Sequence, residues 1–102
     1  MTNTVGTDKN FKSEVIDYQG TVIVDFWASW CGPCLMLAPV LEEVIHESGE
    51  TKLVKVDVDV EINLASQYNI SSIPAVIIFK NGQPQPAIIG FHQKEDYLKA
   101  LK

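Results

Sequence analysis

Two cysteines three residues apart, in the run Trp30-Cys31-Gly32-Pro33-Cys34, are the only cysteines in the chain and its strongest candidates for chemistry. Three residues is nearly one helical turn of about 3.6, so a helix beginning here sets both sulfurs on one face, their backbones roughly 5 to 6 Å apart. A disulfide fits that gap. Closing so small a loop removes little freedom from the unfolded chain, which makes the bond a poor staple and a good switch.

The thiolate is the attacking species in disulfide exchange, so a useful cysteine needs its pKa lowered from about 8.5 toward neutrality. The start of a helix offers unsatisfied N–H groups and a partial positive charge, and Cys31 is placed to receive both. Cys34, one turn further in, is expected to be more buried and less ionised. The expected order is attack by Cys31 on a substrate disulfide, a mixed disulfide, and attack by Cys34 on Cys31 to release the reduced substrate.

Cys34 must lose a proton in that second step. Asp25 is the candidate base, because a carboxylate inside the apolar run Val22-Ile23-Val24-Asp25-Phe26-Trp27 has its pKa raised by burial. Lys55, on a second strand feeding the same sheet, is the candidate counter-charge. A solvated aspartate on an edge strand and a lysine on the wet face of an alternating strand are the other readings of these two residues.

A zinc site needs two further ligands at fixed spacing, and His46 and His92, far apart in sequence, are the only histidines. No metal site and no cofactor are expected. His46 falls on the polar face of its helix and His92 in a loop. A Cys–His hydrolase could use the same residue types, but nothing in the spacing requires one.

The elements that must position the pair follow from periodicity. A weak strand surrounds Thr4 and Val5, and a short helix capped by Thr7 or Asp8 carries Phe11, Val15 and Ile16 inward until Gly20. Residues 22–27 are apolar on both alternating faces, as in a central strand covered on both sides. From Cys34 to about Ser48, Leu37, Leu41, Val44 and Ile45 recur at helical spacing, with Pro33 in the first turn and Gly49 at the stop. Residues 53–58 read as a strand, Ile62 to Tyr68 as a short helix, and 75–80 as a strand closed by the hairpin pair Asn81-Gly82. The partner strand is Gln83 to about Ile89. Its Pro84 and Pro86, two apart, turn their missing N–H groups to one side, which must be an unpaired edge. Lys94 to Lys102 is a closing helix with Tyr97, Leu98 and Leu101 on one face.

The chain has 102 residues, 46% hydrophobic and 21% charged, which suits one domain over residues 1–102. Its net charge of −5, with eight scattered Lys and Arg, argues against nucleic acid and acidic lipid as partners. Residues 1–8 have neither a basic nor an apolar region of the kind a signal peptide needs, and no stretch is long enough to span a bilayer. The expectation is a cytoplasmic protein, in a reducing compartment where a cysteine pair is catalytic rather than a staple.

The runs Val24-Asp25-Phe26-Trp27-Ala28-Ser29-Trp30-Cys31-Gly32-Pro33-Cys34, Ala38-Pro39, Lys55-Val56-Asp57, Ser72-Ile73-Pro74, Phe79-Lys80-Asn81-Gly82 and Ile89-Gly90, taken in order, resemble the thioredoxin family along nearly the whole chain. The resemblance implies an α/β fold: a central mixed sheet of about five strands, parallel with an antiparallel hairpin, flanked by four α-helices. It implies reduction of disulfide-containing protein substrates and re-reduction by a thioredoxin reductase drawing on NADPH or ferredoxin, with a monomer sufficient. By position, Cys31 would be the nucleophile, Cys34 the resolving thiol, Asp25 the buried acid/base and Lys55 its partner. Pro74 would be a cis-proline packed against the disulfide. Trp30, Gly32, Pro33, Ile73, Pro74 and Gly90 would form the flat apolar surface on which an extended substrate lies. The chain departs from the pattern at Leu35, where a basic residue commonly follows the second cysteine, at Ala75, and in an N-terminal strand poor in apolar residues.

Two other functions fit the same residues. An oxidase or isomerase of an oxidising compartment would use the chemistry in reverse, which Gly-Pro between the cysteines disfavours. A scaffold subunit would use the surface without turnover.

Overall fold

In the computed structural model, which describes residues 3–102, the strands are β1 (Asn3–Val5), β2 (Thr21–Trp27), β3 (Lys52–Asp57), β4 (Ala75–Lys80), β5 (Gln83–Pro84) and β6 (Ile88–Ile89). The α-helices are α1 (Gly32–Ser48), α2 (Ile62–Gln67) and α3 (Lys94–Leu101), and a π-helical turn spans Lys12–Ile16. The sheet runs β1-β3-β2-β4-β5, with β6 also on β4. β1 and β2 lie parallel to β3, and β4 antiparallel to β2, so the sheet is mixed.

β2 is central because its side chains are apolar on both faces. Val22, Val24 and Phe26 enter one buried layer with Phe11, Val15, Leu64 and Phe79. Ile23 enters the opposite layer with Leu37 and Leu41 of α1 and Tyr97 of α3. Each aliphatic side chain removed from water in this way contributes roughly 1.5–3 kcal/mol. Asp25 follows Ile23 on the α1 and α3 side, since successive strand residues alternate faces.

The first predicted helix takes π geometry over Lys12–Ile16 and stops at Asp17, short of Gly20. Thr7 and Asn10 precede it as a reciprocal cap: each side-chain oxygen accepts from the other's backbone N–H, at 3.2 and 2.7 Å. Helix α1 runs unbroken through Pro39 and ends at Gly49, whose φ of 79° reverses the chain.

Asn81 and Gly82 form the hairpin between β4 and β5, both at positive φ, as a two-residue turn demands. The partner strand is not continuous as the sequence suggested. From Pro84 to Ile88 is four steps, against three from Phe79 to Val76 opposite, so one extra residue bulges out and divides it into β5 and β6. Gln85 N–H still reaches the Ile78 carbonyl at 2.8 Å, which turns the nitrogens of Pro84 and Pro86 outward. β5 is the edge the prolines require.

Candidate active site

The turn after β2 delivers Cys31 to the start of α1 as its N-cap, with extended backbone (φ −92°, ψ 105°). Its Sγ accepts the Cys34 backbone N–H at 3.2 Å, the place an oxygen occupies in an ordinary cap. Pro33 stands in the first turn without an N–H of its own, so the donors left at this end are few and one is aimed at the sulfur. No acidic residue lies in that turn to oppose a thiolate. Cys31 and Cys34 are joined as a disulfide with Cα atoms 5.2 Å apart. Both are buried, at 4% and 2% exposure, so the expected contrast between them is slight in this bonded form.

The pair sits on Ala28, with Trp27, Val58 and Ile73 packed around it. The Ile73–Pro74 bond is cis, as the resemblance implied. Gly90 donates its N–H to the Pro74 carbonyl at 2.8 Å and turns at φ 87°. Trp30 (68% exposed), Gly32 and Pro33 face solvent; Ile73 and Gly90 are half-buried; Pro74 is buried.

Asp25 is 1% exposed, and neither of its carboxylate oxygens accepts a hydrogen bond from a described residue. Burial raises its pKa from 3.8 to about 6, and the charge of Lys55 holds it from rising further. Lys55 is not a wet-face residue: only 23% of its side chain is exposed, and Nζ lies 5.0 Å from the Trp27 ring centroid. It opens on a shallow, largely apolar recess of about 310 Å³ shared with Val5, Trp27, Asp57 and Val60. Among the described residues no three His, Cys, Asp or Glu side chains gather as metal ligands.

The thioredoxin family model matches residues 2–102. The chain belongs to the thioredoxin family. It is 46% identical to the thioredoxin of Rickettsia felis over 99 residues, 96% of this chain and 93% of that one. The thioredoxin of Staphylococcus aureus is 46% identical over 96 residues, 93% of this chain and 90% of its own. A thioredoxin fold with its cysteine pair closed at a helix start performs dithiol–disulfide exchange and acts as a protein-disulfide reductase.

Within that family frame, one residue of the site escaped the sequence reading. Asp59 Oδ2 accepts the Trp30 indole N–H at 2.7 Å, fixing a ring that otherwise stands free in water. Asp59 is held in turn by its own N–H bonded to Asp57 Oδ1 at 2.9 Å. An acidic residue just past a strand reads as a turn, and its partner lies 29 residues away, so no local signal announces it. No described helix is long and apolar enough to cross a membrane.

Proposed function

We propose that this chain is a general protein-disulfide reductase of the cytoplasm, working as a monomer and recharged by a thioredoxin reductase that draws on NADPH or ferredoxin. The Cys31 thiolate attacks one sulfur of a substrate disulfide; a Cys31–substrate bond forms and the other substrate sulfur leaves as a thiolate. Cys34 then gives its proton to the Asp25 carboxylate and attacks Cys31 Sγ. The mixed disulfide breaks, the second substrate thiolate leaves, and Cys31–Cys34 is the oxidised product. Two electrons have passed from the pair to the substrate, and the reductase returns two.

Lys55 keeps Asp25 charged often enough to accept that proton at neutral pH, and the recess beside it opens toward water. Trp30, Gly32, Pro33, Ile73 and Gly90 offer a flat, mostly apolar face to an extended chain, with Pro74 holding it from below. The single observation that carries the reading is the Cys34 N–H aimed at Cys31 Sγ, because the same donor serves an anionic sulfur once the bond is reduced.

The test is to incubate the protein with a thioredoxin reductase, its electron donor and insulin, and to follow donor consumption. Turnover by the wild type is expected, with accumulation of a mixed disulfide by Cys34→Ser. Absence of donor consumption with either class of reductase overturns the reading.

A further inference from the structure

Three side-chain atoms in this structure are buried with no hydrogen-bond partner among the described residues: both carboxylate oxygens of Asp25 and the hydroxyl of Tyr97. They lie on the same side of the sheet. Asp25 projects from β2 on the face that Ile23 shares with α1 and α3, and Tyr97, fully buried, reaches into that layer from α3. Around Tyr97, Leu37, Leu41, Leu53, Val76 and Ile78 supply no polar atom from their side chains, and Val76 is the β4 residue paired with Asp25.

A buried hydroxyl normally finds an acceptor, since one left unpaired has lost its hydrogen bonds to water with nothing in exchange. A phenylalanine would fill the same space without that cost. The hydroxyl of Tyr97 therefore needs a reason, and the charge in its layer supplies one: a hydroxyl with no fixed acceptor rotates in the field of a nearby anion and points its hydrogen at it. The two groups act on each other. Burial pushes the Tyr97 hydroxyl up to about 12; the His92 backbone beside it opposes that rise, and the charges of Asp25 and Asp96 add to it.

The titratable groups on this side of the sheet are few. β2 gives Asp25, β3 gives Lys55 at 3.9 Å from it, and α3 gives Tyr97, while Cys34 of α1 lies in the neighbouring cluster with Cys31 and Ala28. His92, in the loop before α3, stacks edge-on to Tyr97 with centroids 6.2 Å apart and turns its ring nitrogens to Asp96 and the Ile89 carbonyl instead.

We propose that Tyr97 is a positioning residue of the resolving step: its O–H dipole turns toward Asp25 when the carboxylate is charged and is released when the carboxylate takes the Cys34 proton. Tyr97 itself exchanges no proton. It keeps the charged base available inside an apolar layer, where the only other charge close to it is Lys55, 3.9 Å away and partly exposed. This rests on the role proposed above for Asp25.

The test is Tyr97→Phe, which removes one oxygen and leaves the ring to pack. Carbon-13 NMR of the Asp25 carboxyl in the reduced protein is expected to give a titration midpoint about half a unit or more higher than in the wild type. Release of substrate from the mixed disulfide should lose activity at correspondingly higher pH, and in an Asp25→Asn background Tyr97→Phe should leave release unchanged. An Asp25 midpoint that stays within about 0.2 unit in Tyr97→Phe overturns the proposal, whatever happens to insulin reduction. A shifted midpoint with no change in the release profile would instead overturn the role assigned to Asp25.

Discussion

Lys55 Nζ lies 3.9 Å from Asp25 Oδ2, directly across the parallel pairing of β3 with β2. That is too long for a hydrogen bond, so the ammonium acts on the carboxylate as a charge through a partly apolar gap. The raised pKa of Asp25 means that desolvation still outweighs this attraction. Lys55→Met keeps the stem against Trp27 and removes the charge. It is expected to move the Asp25 midpoint above its present value of about 6, by about one further unit. Carboxyl NMR measures it directly, and a midpoint that falls or stays would refute the pairing.

Asp25 also makes stability depend on pH. Its folded pKa of about 6 lies above the ordinary 3.8, so between those values the folded chain holds a proton that the unfolded chain has lost. Stability therefore falls as pH rises from about 4 to about 6, and the full cost persists above that window. Asp25→Asn removes the charge. In denaturant titrations it is expected to stabilise the protein by up to about 3 kcal/mol at about pH 8 and by little at about pH 4. Equal effects at both ends would sink this account.

Leu35 follows Cys34 and stands half-exposed in the first turn of α1, which carries no acidic side chain to balance. Leu35→Lys adds a positive charge near the sulfurs. The Cys31 pKa is expected to drop modestly, by about 0.3 unit, because an exposed charge is screened by water and salt. Thiolate absorbance against pH is the readout, and an unmoved curve counts against it.

Asp59→Ala releases the Trp30 indole from its 2.7 Å bond. A charge-assisted bond at an exposed site is worth about 1 kcal/mol, so KM for insulin is expected to rise about fivefold with kcat retained. Trp30 fluorescence should become more mobile by anisotropy. Unchanged anisotropy would mean that the ring is held by something else.

Local pattern carried much of this molecule. The apolar run of β2, the helical spacing of Leu37, Leu41, Val44 and Ile45, and the Asn81-Gly82 turn each have one physical solution, and the structure adopts it. The place of Cys31 at the helix start followed from Pro33 and the apolar period; its role as N-cap came only with the structure. What stayed hidden was set by long-range contacts. The π geometry of Lys12–Ile16 accompanies a clasp in which Lys52 bonds the Glu14 carbonyl at 2.9 Å from 38 residues away. The bulge between Pro84 and Ile88 depends on the register of β4. The burial of Pro74 and the bond from Trp30 to Asp59 need the assembled fold. So does the layer that Tyr97 shares with Asp25, since in sequence Tyr97 is only one more apolar helix position.

The outward nitrogens of Pro84 and Pro86, with the bulge that follows, leave one flank of the sheet without a row of donors. The other flank is β1, three residues long. Along the described residues, a neighbouring copy thus meets only a three-residue strand on one side and a proline-interrupted, bulged edge on the other, each offering few backbone hydrogen bonds for extending the sheet into a fibril.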